Sequence, residues 1–226
     1  MSSLFIVGTP IGNLKDITFR SLEALKEVDI IACEDTRHTR KLLSAYDIHK
    51  PVISCYAHRE LKGTSAVLAQ LQGGKNVAYV TDAGTPALSD PGSMLVREAR
   101  AAGHEVIPIP GVSAVTTILS VAGFAGKSVI FEGFLSPKQG KRVKRLKELF
   151  EREESFILFE SPHRIVKLLG DIAEIKPESN MVLGREMTKM HEEYISGKSQ
   201  AIFEEFKAKT LIKGEFTLIV SGNKKS

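Results

Sequence analysis

Short apolar runs alternate with stretches of helical periodicity in the first half of the 226-residue chain, and this alternation restricts the possible folds most strongly. Buried strands are predicted at Leu4–Gly8, Asp29–Cys33, Val52–Tyr56, Asn76–Thr81 and Glu105–Ile109. Helices are predicted at Thr18–Val28, Thr36–Ala45, about Leu61–Gln72, Gly92–Ala102 and Val112–Ala122. This order is typical of an α/β fold, in which right-handed crossovers connect parallel strands and helices cover both faces of the sheet.

The second half has a different pattern. Strands are predicted at Ser128–Phe134, Phe156–Glu160, Met181–Glu186 and Phe216–Ser221, helices at Ile165–Ile175 and Ser199–Lys209, and a hairpin or turn at Tyr194–Gly197. We therefore expect two α/β domains. Residues 1–122 would form an N-terminal domain with a parallel sheet, and residues 123–226 a C-terminal domain with a mixed sheet.

The charge of the chain is unevenly distributed. Residues 1–120 carry 12 basic and 12 acidic side chains and the remainder carry 19 and 15, so the whole net charge of +4 lies in the second half. Such a small excess means that an anionic partner would bind a local patch. The richest patch is the run Lys138–Lys147, whose basic residues are Lys138, Lys141, Arg142, Lys144, Arg145 and Lys147. The run is either an RNA contact or a solvated helix face.

The uncharged segment Val106–Gly126 is long enough for a membrane span, but Pro108, Pro110 and Gly111 interrupt it. A strand, a turn and a buried helix explain it better. The first residues also lack the basic region of a signal peptide. We therefore expect a cytoplasmic protein with no membrane association, and its two cysteines, residues 33 and 55, to be buried and reduced.

Three loops rich in glycine and proline follow predicted strands, at Gly8–Leu14, Thr81–Gly92 and Pro110–Ala114. Ligands of open α/β sheets bind beyond the carboxyl ends of the strands, where glycine permits close backbone approach. Asp82 and Asp90 could accept hydrogen bonds from such a ligand. Ordinary turn formation is the alternative. The dinucleotide G-x-G-x-x-G and P-loop motifs are absent, and the scattered histidines predict no metal site.

Eight segments in this order resemble the tetrapyrrole-methylase superfamily of S-adenosylmethionine-dependent methyltransferases. The resemblance is closest to the ribosomal RNA small subunit methyltransferase I family, which methylates the 2′-hydroxyl of a cytidine in 16S rRNA. The first loop, Gly-Thr-Pro-Ile-Gly, and the second, Asp-Ala-Gly-Thr-Pro, differ from the V-G-x-G-x-G and G-D-P loops of tetrapyrrole C-methylases. The segments are Val7–Leu14, Glu34–Arg37, Thr81–Gly92, Pro110–Ala114, Glu132–Leu135, Glu160–Arg164, Arg185–Lys189 and Gly214–Thr217.

The resemblance implies a class III (tetrapyrrole-methylase-like) methyltransferase, with two α/β domains, S-adenosylmethionine in the cleft between them, and a homodimeric assembly. The cofactor residues that it implies are Pro10, Asp82, Ala83, Gly84, Thr85, Ser113 and Ala114 from the first domain and Glu160, Leu183 and Phe216 from the second.

A ribose 2′-hydroxyl needs a base or a strong hydrogen-bond acceptor before it can attack a methyl group. We expect Glu160 or Glu186 in this catalytic role, because each ends a predicted strand beside basic residues. The alternative is that both carboxylates form ion pairs that brace the cleft. Contacts with the phosphates of 16S rRNA, within the 30S subunit, are expected from Arg164, Arg185 and Lys189, from the basic run, and from Arg37, Arg40 and Lys41.

Two other functions remain open from the sequence. One is a tetrapyrrole (precorrin-like) C-methyltransferase of the same fold, whose substrate binding would not depend on salt. The other is a non-catalytic RNA-binding protein, which would not bind S-adenosylmethionine.

Overall fold

The computed structural model describes residues 2–55, 60–124 and 126–222, with the side chain of residue 60 excepted. Within them the chain divides into two compact units, Met1–Ser113 and Ala114–Ser226.

The first unit contains a five-stranded sheet in the order β3-β2-β4-β1-β5, and every strand pair in it is parallel. Its strands are β1 (Ser3–Val7), β2 (Ile30–Cys33), β3 (Val52–Ser54), β4 (Val77–Val80) and β5 (Glu105–Ile109). Its helices are α1 (Phe19–Glu27), α2 (Thr36–Ala45), α3 (Glu60–Gln72) and α4 (Ser93–Ala101), with a single 3₁₀ turn at Leu14–Asp16. The predicted parallel sheet is confirmed.

Helices cover both faces of this sheet, as the strand–helix alternation predicts. Alternate residues of a strand point to opposite faces, so Leu4 of β1 packs in one core while Val7 packs in the other. The core around Leu4 also contains Val67 of α3 and Leu95 of α4. The core around Val7 also contains Leu25 of α1. Both cysteines are buried free thiols in these two cores.

The second unit contains a mixed five-stranded sheet in the order β6-β7-β10-β8-β9. β6 and β7 are parallel and the other three pairs are antiparallel, which confirms the predicted mixed sheet. Its strands are β6 (Val129–Phe134), β7 (Ser155–Glu160), β8 (Asn180–Arg185), β9 (Glu193–Lys198) and β10 (Phe216–Val220). Its helices are α5 (Ala114–Ala122), α6 (Gln139–Glu151), α7 (Ile165–Ile175) and α8 (Ser199–Lys207).

The boundary between the units falls at 113/114 and not at the expected 122/123. The reason is that α5 packs on the second sheet: a Cβ added to Gly184 of β8 would lie 3.1 Å from Cδ1 of Ile118. Residues 106–124 therefore contain a strand, a turn and a helix, as predicted, although only Ile118 and Ala122 of the predicted buried helix are buried. Within the described ranges, no helix is long and apolar enough to cross a membrane.

Helices α6, α7 and α8 pack against the other face of the second sheet. Leu146, Leu168 and Phe206 from these helices share one core with Phe156 and Leu158 of β7. Residue 159 follows Leu158 directly in β7, so its side chain points to the opposite face of the sheet.

Candidate functional site

The three glycine-containing loops of the first unit lie against one another. Thr9 and Gly84 exchange both backbone hydrogen bonds, at 2.9 and 3.1 Å, which joins the first loop to the second. A Cβ on Gly8 would lie 2.8 Å from the backbone nitrogen of Gly111, so the first and third loops touch through backbone alone. Gly84 has φ +78°, a conformation that glycine adopts readily. The loops thus form one assembly at the carboxyl edge of the parallel sheet.

Acidic side chains cluster at this same edge. The backbone N–H of Asp35, just after β2, donates to Oδ1 of Asp82 at 3.2 Å. Burial, together with the charge of Asp82, raises the pKa of Asp90 to about 6. Burial and the charges of Asp82, Asp90 and Asp35 likewise raise the pKa of Glu34. A bound cation would stabilise the ionised form of carboxyl groups that are half-buried close to other carboxylates.

Asp35 is ionised and already has a cationic partner. The side-chain and backbone hydrogen bonds from Arg37, with Nη2 2.9 Å from Oδ2, lower the pKa of Asp35 to about 2. Asp82, Asp90 and Glu34 therefore carry the charge that a ligand would meet. Glu34 had no predicted role. Its position directly after a strand, within a segment that carries the family resemblance, was the sequence feature that could have indicated one.

The expected cofactor residues of the first unit lie in or next to this loop assembly. Pro10 and Gly84 are buried, Asp82, Thr85 and Ser113 are half-buried, and Ala83 is exposed. Ala114, which was expected in the first domain, is half-buried at the start of α5 in the second unit.

Two expected cofactor residues of the second unit have another role. Leu183 is completely buried in the core beneath α6, α7 and α8, and Phe216 packs there edge-on against Phe206, with ring centroids 5.9 Å apart. Their side chains are therefore committed to packing, so the proposed contacts of these two residues with the cofactor would come from backbone atoms.

Glu160 is a buried carboxylate with incomplete hydrogen bonding. Its side chain is 1% exposed, and Oε1 accepts a hydrogen bond from the backbone N–H of Ser161 at 2.7 Å. Oε2 lies 3.0 Å from Nη2 of Arg164, close enough for an ion pair but without hydrogen-bond alignment. Nη2 of Arg164 instead donates to the carbonyl of Leu135 at 2.6 Å. Oε2 of Glu160 thus keeps acceptor capacity in a dry environment.

One carboxylate oxygen of Glu186 has two hydrogen-bond donors. Its Oε1 accepts from the backbone N–H of Glu215 at 2.9 Å and from Nζ of Lys189 at 3.0 Å. Burial acts to raise the pKa of Glu186, but these two donors outweigh it and the pKa is lowered. A Cβ on Gly214 would lie 2.6 Å from Cγ of Glu186, so the glycine makes room for this arrangement. Glu186 therefore fits a structural ion pair better than a base.

The basic run on α6 separates by residue type. Lys138, Lys141, Lys144 and Lys147 are exposed, and none forms an ion pair with a described residue. Arg142, in contrast, is buried, and its guanidinium pairs with Asp171 of α7. The expectation that Arg142 contacts RNA is therefore wrong, because its charge is neutralised inside the unit.

Arg145 also has internal partners. Its Nε and Nη2 each lie 2.7 Å from a carboxylate oxygen of Glu132 on β6, and Nη1 lies 2.9 Å from Glu148. These bonds raise the pKa of Arg145 further above its ordinary value. Arg145 is thus an anchor for β6.

The remaining expected RNA contacts differ in availability. Arg40 and Lys41 on α2 are exposed and form no ion pair with a described residue, whereas Arg37 is exposed but engaged by Asp35. Lys189 is held between two glutamates, and Arg185 donates to Glu193 of β9 at 2.8 Å. The side chains of residues 56–60 lie outside the described part of the chain. Within the described part of the chain, no group of histidine, cysteine or acidic residues could hold a metal ion.

Comparison with known proteins agrees with this architecture. The family model for tetrapyrrole (corrin/porphyrin) methylases matches residues 3–202. Cobalt precorrin-4 methyltransferase has the same fold, with a TM-score of 0.72 at 18% identity over 97% of this chain and 94% of its own. Diphthine synthase also has a TM-score of 0.72 at 18% identity, over 97% of this chain and 90% of its own. The fold and the loop assembly define a protein of the tetrapyrrole methylase class.

Sequence relatives place the chain more narrowly. It is 52% identical to ribosomal RNA small subunit methyltransferase I of Borrelia garinii over 96% of this chain and 98% of the relative. It is 46% identical to the Thermotoga maritima protein of that name, over 98% and 99%. For the Bacillus subtilis protein of that name the identity is 40%, over 99% and 76%. The chain belongs to the ribosomal RNA small subunit methyltransferase I family.

Proposed function

We propose that this protein is an enzyme that transfers a methyl group from S-adenosylmethionine to the 2′-hydroxyl of a cytidine in 16S rRNA. The observation that carries the proposal is the joining of three loops around the acidic residues Asp82, Asp90 and Glu34, in a chain of this family. A tetrapyrrole C-methyltransferase would share the fold, but relatives 40–52% identical carry the rRNA methyltransferase name.

The loop assembly fits the charge of the cofactor. When bound, S-adenosylmethionine supplies a methyl group on a positively charged sulfonium and also carries an ammonium group. The half-buried carboxyl groups of Asp82 and Asp90 would stabilise these charges. The rigid loops at Pro10 and Gly84 would fix its orientation, which lowers the entropic part of the barrier.

In this proposal, a residue of the second unit removes the proton of the ribose hydroxyl. Oε2 of Glu160 has no hydrogen bond in the described part of the chain, so it would accept a bond from a hydroxyl once substrate binding makes this buried oxygen accessible. Arg164 would keep that carboxylate oriented. The exposed lysines of α6, with Arg40 and Lys41 of α2, would contact rRNA phosphates and position the substrate without reading its sequence.

The proposal is tested by incubating the purified chain and labelled S-adenosylmethionine with 30S subunits, with free 16S rRNA and with a porphyrinoid substrate. Nuclease digestion then locates the label. The expected product is a single 2′-O-methylcytidine in 16S rRNA. Label on the macrocycle would favour the tetrapyrrole alternative. RNA binding without any S-adenosylmethionine binding would favour the non-catalytic alternative.

Assembly and location are part of the same proposal. We expect a homodimer, as in the resembling family, working in the cytoplasm where 30S subunits are present. Light scattering on the purified chain measures the assembly directly, and a monomer at working concentrations would contradict it.

A further inference from the structure

An aromatic cluster lies at the carboxyl end of β6, beside the parallel strand β7. Phe159 contacts Phe131 and Phe134 edge-on, with ring centroids 5.0 and 5.7 Å apart. Phe131 and Phe159 are half-buried, whereas Phe134 is 58% exposed. Neither the cofactor loops nor the basic residues account for a large exposed aromatic ring at this position.

A β-bulge is what brings these rings together. Residues 131 and 134 are three apart and would lie on opposite faces of a regular strand. The register shifts between Phe131 and Gly133, so Glu132 is the extra residue, and Phe134 pairs with Phe159. The bulge therefore turns Phe134 to the face that carries Phe131 and Phe159.

The bulge is itself anchored from the helix side of the sheet. Both carboxylate oxygens of Glu132 bond to the guanidinium of Arg145 on α6, at 2.7 Å each. One element thus fixes the direction of Phe134 and also carries the exposed lysines. The first of them, Lys138, follows Phe134 by four residues, at most roughly 14 Å of extended chain.

The segment after Phe134 is also tied to the candidate catalytic carboxylate. The carbonyl of Leu135 accepts a hydrogen bond from Nη2 of Arg164, and the same nitrogen lies 3.0 Å from Oε2 of Glu160. Glu160 in turn follows Phe159 in β7. The exposed ring and the carboxylate therefore lie at the carboxyl ends of the neighbouring strands β6 and β7, and Lys138 follows the ring by four residues.

We infer that Phe134 is a stacking surface for an unpaired nucleobase of the RNA substrate. An exposed aromatic ring beside unpaired cations is the combination by which proteins hold single-stranded nucleic acid, since the ring stacks on a base and the cations follow the backbone. A base can offer its face only where it is unstacked, and RNA is recognised mainly at such positions. The inference rests on the proposed rRNA substrate and deepens it.

A second copy of the chain is a weaker explanation for the exposed ring. In a two-fold interface the same patch would occur on both partners. If the lysines at 138, 141 and 144 belonged to that patch, an identical positive patch would face them, which costs energy. An anionic nucleic acid complements them instead.

The test compares two eight-residue probes, oligoribocytidylate and an abasic ribose-phosphate chain of equal length. The intact protein should prefer the probe that has bases. Phe134→Ala should weaken binding of that probe by roughly 5- to 100-fold, leave the abasic probe unaffected and leave the salt slope unchanged. Phe134→Trp should retain the preference, and Phe134→Leu, which preserves apolar packing, should lose it.

Two controls separate stacking from general effects. Phe19→Ala removes an even more exposed ring, 87% accessible, on α1 and should change neither probe. Lys141→Gln should weaken both probes equally. Unchanged base preference in Phe134→Ala would overturn the inference, as would a change of oligomeric state in that variant. Failure of methyl transfer by the intact protein would reject the proposed activity alone, because the probe assay involves no transfer.

Discussion

Arg142 of α6 and Asp171 of α7 form an ion pair inside the second unit, with 2.5 Å between Nε and Oδ2 and side chains that are only 4% and 5% exposed. Gln139 donates to the other carboxylate oxygen, and the carbonyl of Pro137 accepts from Nη1 of the arginine. The most basic segment of the chain is thus attached to the fold through one of its own charges.

Removing Arg142 should destabilise the protein without a specific effect on RNA. Arg142→Ala leaves the Asp171 carboxylate buried and unpaired, so we expect a loss of about 3–5 kcal/mol of unfolding free energy in urea titrations. Lys144→Ala changes an exposed residue of the same helix, and its free energy of unfolding should lie within about 0.5 kcal/mol of that of the intact protein. A comparable loss in both variants would contradict the assigned role of the ion pair.

The exposed lysines of α6 should supply salt-dependent RNA affinity. Each phosphate contact to single-stranded RNA contributes about 0.7 to the slope of log affinity against log salt. Lys141→Gln combined with Lys144→Gln should therefore reduce this slope by roughly 1.4 and leave S-adenosylmethionine affinity unchanged. The charge-matched pair Lys26→Gln and Lys75→Gln, both exposed in the first unit, should alter neither. An unchanged slope would show that the α6 lysines form a solvated surface only.

Glu160 and Glu186 should respond differently to removal of charge. Glu160→Gln should slow single-turnover methyl transfer roughly 10²- to 10⁴-fold, as expected for loss of a base. Glu186→Gln should lower stability while retaining transfer, because the donors Glu215 and Lys189 hold the pKa of Glu186 below its ordinary value and so make it a poor base. Cofactor affinity and thermal unfolding verify that each variant is folded. A near-normal transfer rate in Glu160→Gln would exclude Glu160 as the base.

The loop assembly should not tolerate a side chain at Gly8. Its Cβ would lie 2.8 Å from the backbone nitrogen of Gly111, and backbone cannot move aside as a flexible side chain can. Gly8→Ala should therefore weaken S-adenosylmethionine binding by roughly tenfold or more, measured by calorimetry. Gly140→Ala, where a Cβ meets nothing within 4 Å at the start of α6, should be neutral or slightly stabilising. Equal binding by both variants would contradict the close approach of the loops.

Asp90 should make stability and cofactor binding depend on pH in opposite directions. Its pKa of about 6 in the folded protein exceeds the unfolded value, so unfolding releases a proton between about pH 4 and 6. The intact protein then loses stability as pH rises through this window. Asp90→Asn should be more stable above pH 6, by about 1 kcal/mol after allowance for solvent screening, and equal below pH 4.

Cofactor affinity gives the complementary measurement. A cationic ligand favours the ionised carboxyl, so affinity of the intact protein should rise as pH increases through 6. Calorimetric titrations at pH 5 and 7.5 measure this, and Asp90→Asn should flatten the dependence. A pH-independent affinity in the intact protein would argue against Asp90 facing the cofactor.

Local patterns predicted the strands of the parallel sheet and four of the five strands of the mixed sheet, because periodicity and loop residues are local properties. The helix Thr36–Ala45 was predicted to the residue, and the structure shows that the Asp35 side chain caps it by accepting the backbone N–H of Arg37. The third loop was likewise recognisable from Pro110 and Gly111 alone. The segment Tyr194–Gly197 was predicted as a hairpin or turn, and it is part of strand β9, which forms an antiparallel hairpin with the preceding strand β8; the full extent of β9 was not predicted, because its residues are mostly polar.

Only the tertiary structure decided what each charged or aromatic residue does. Arg142 and Lys141 are adjacent and equally basic in sequence, but one faces Asp171, 29 residues away, and the other faces water. Leu183 is committed to the core, and Phe134 is turned outward by a bulge whose anchor lies on another element. Burial and partner choice depend on contacts between distant segments, and no local pattern encodes them. For this reason the sequence indicated the loops proposed to hold the cofactor but not the surface proposed to hold the substrate base.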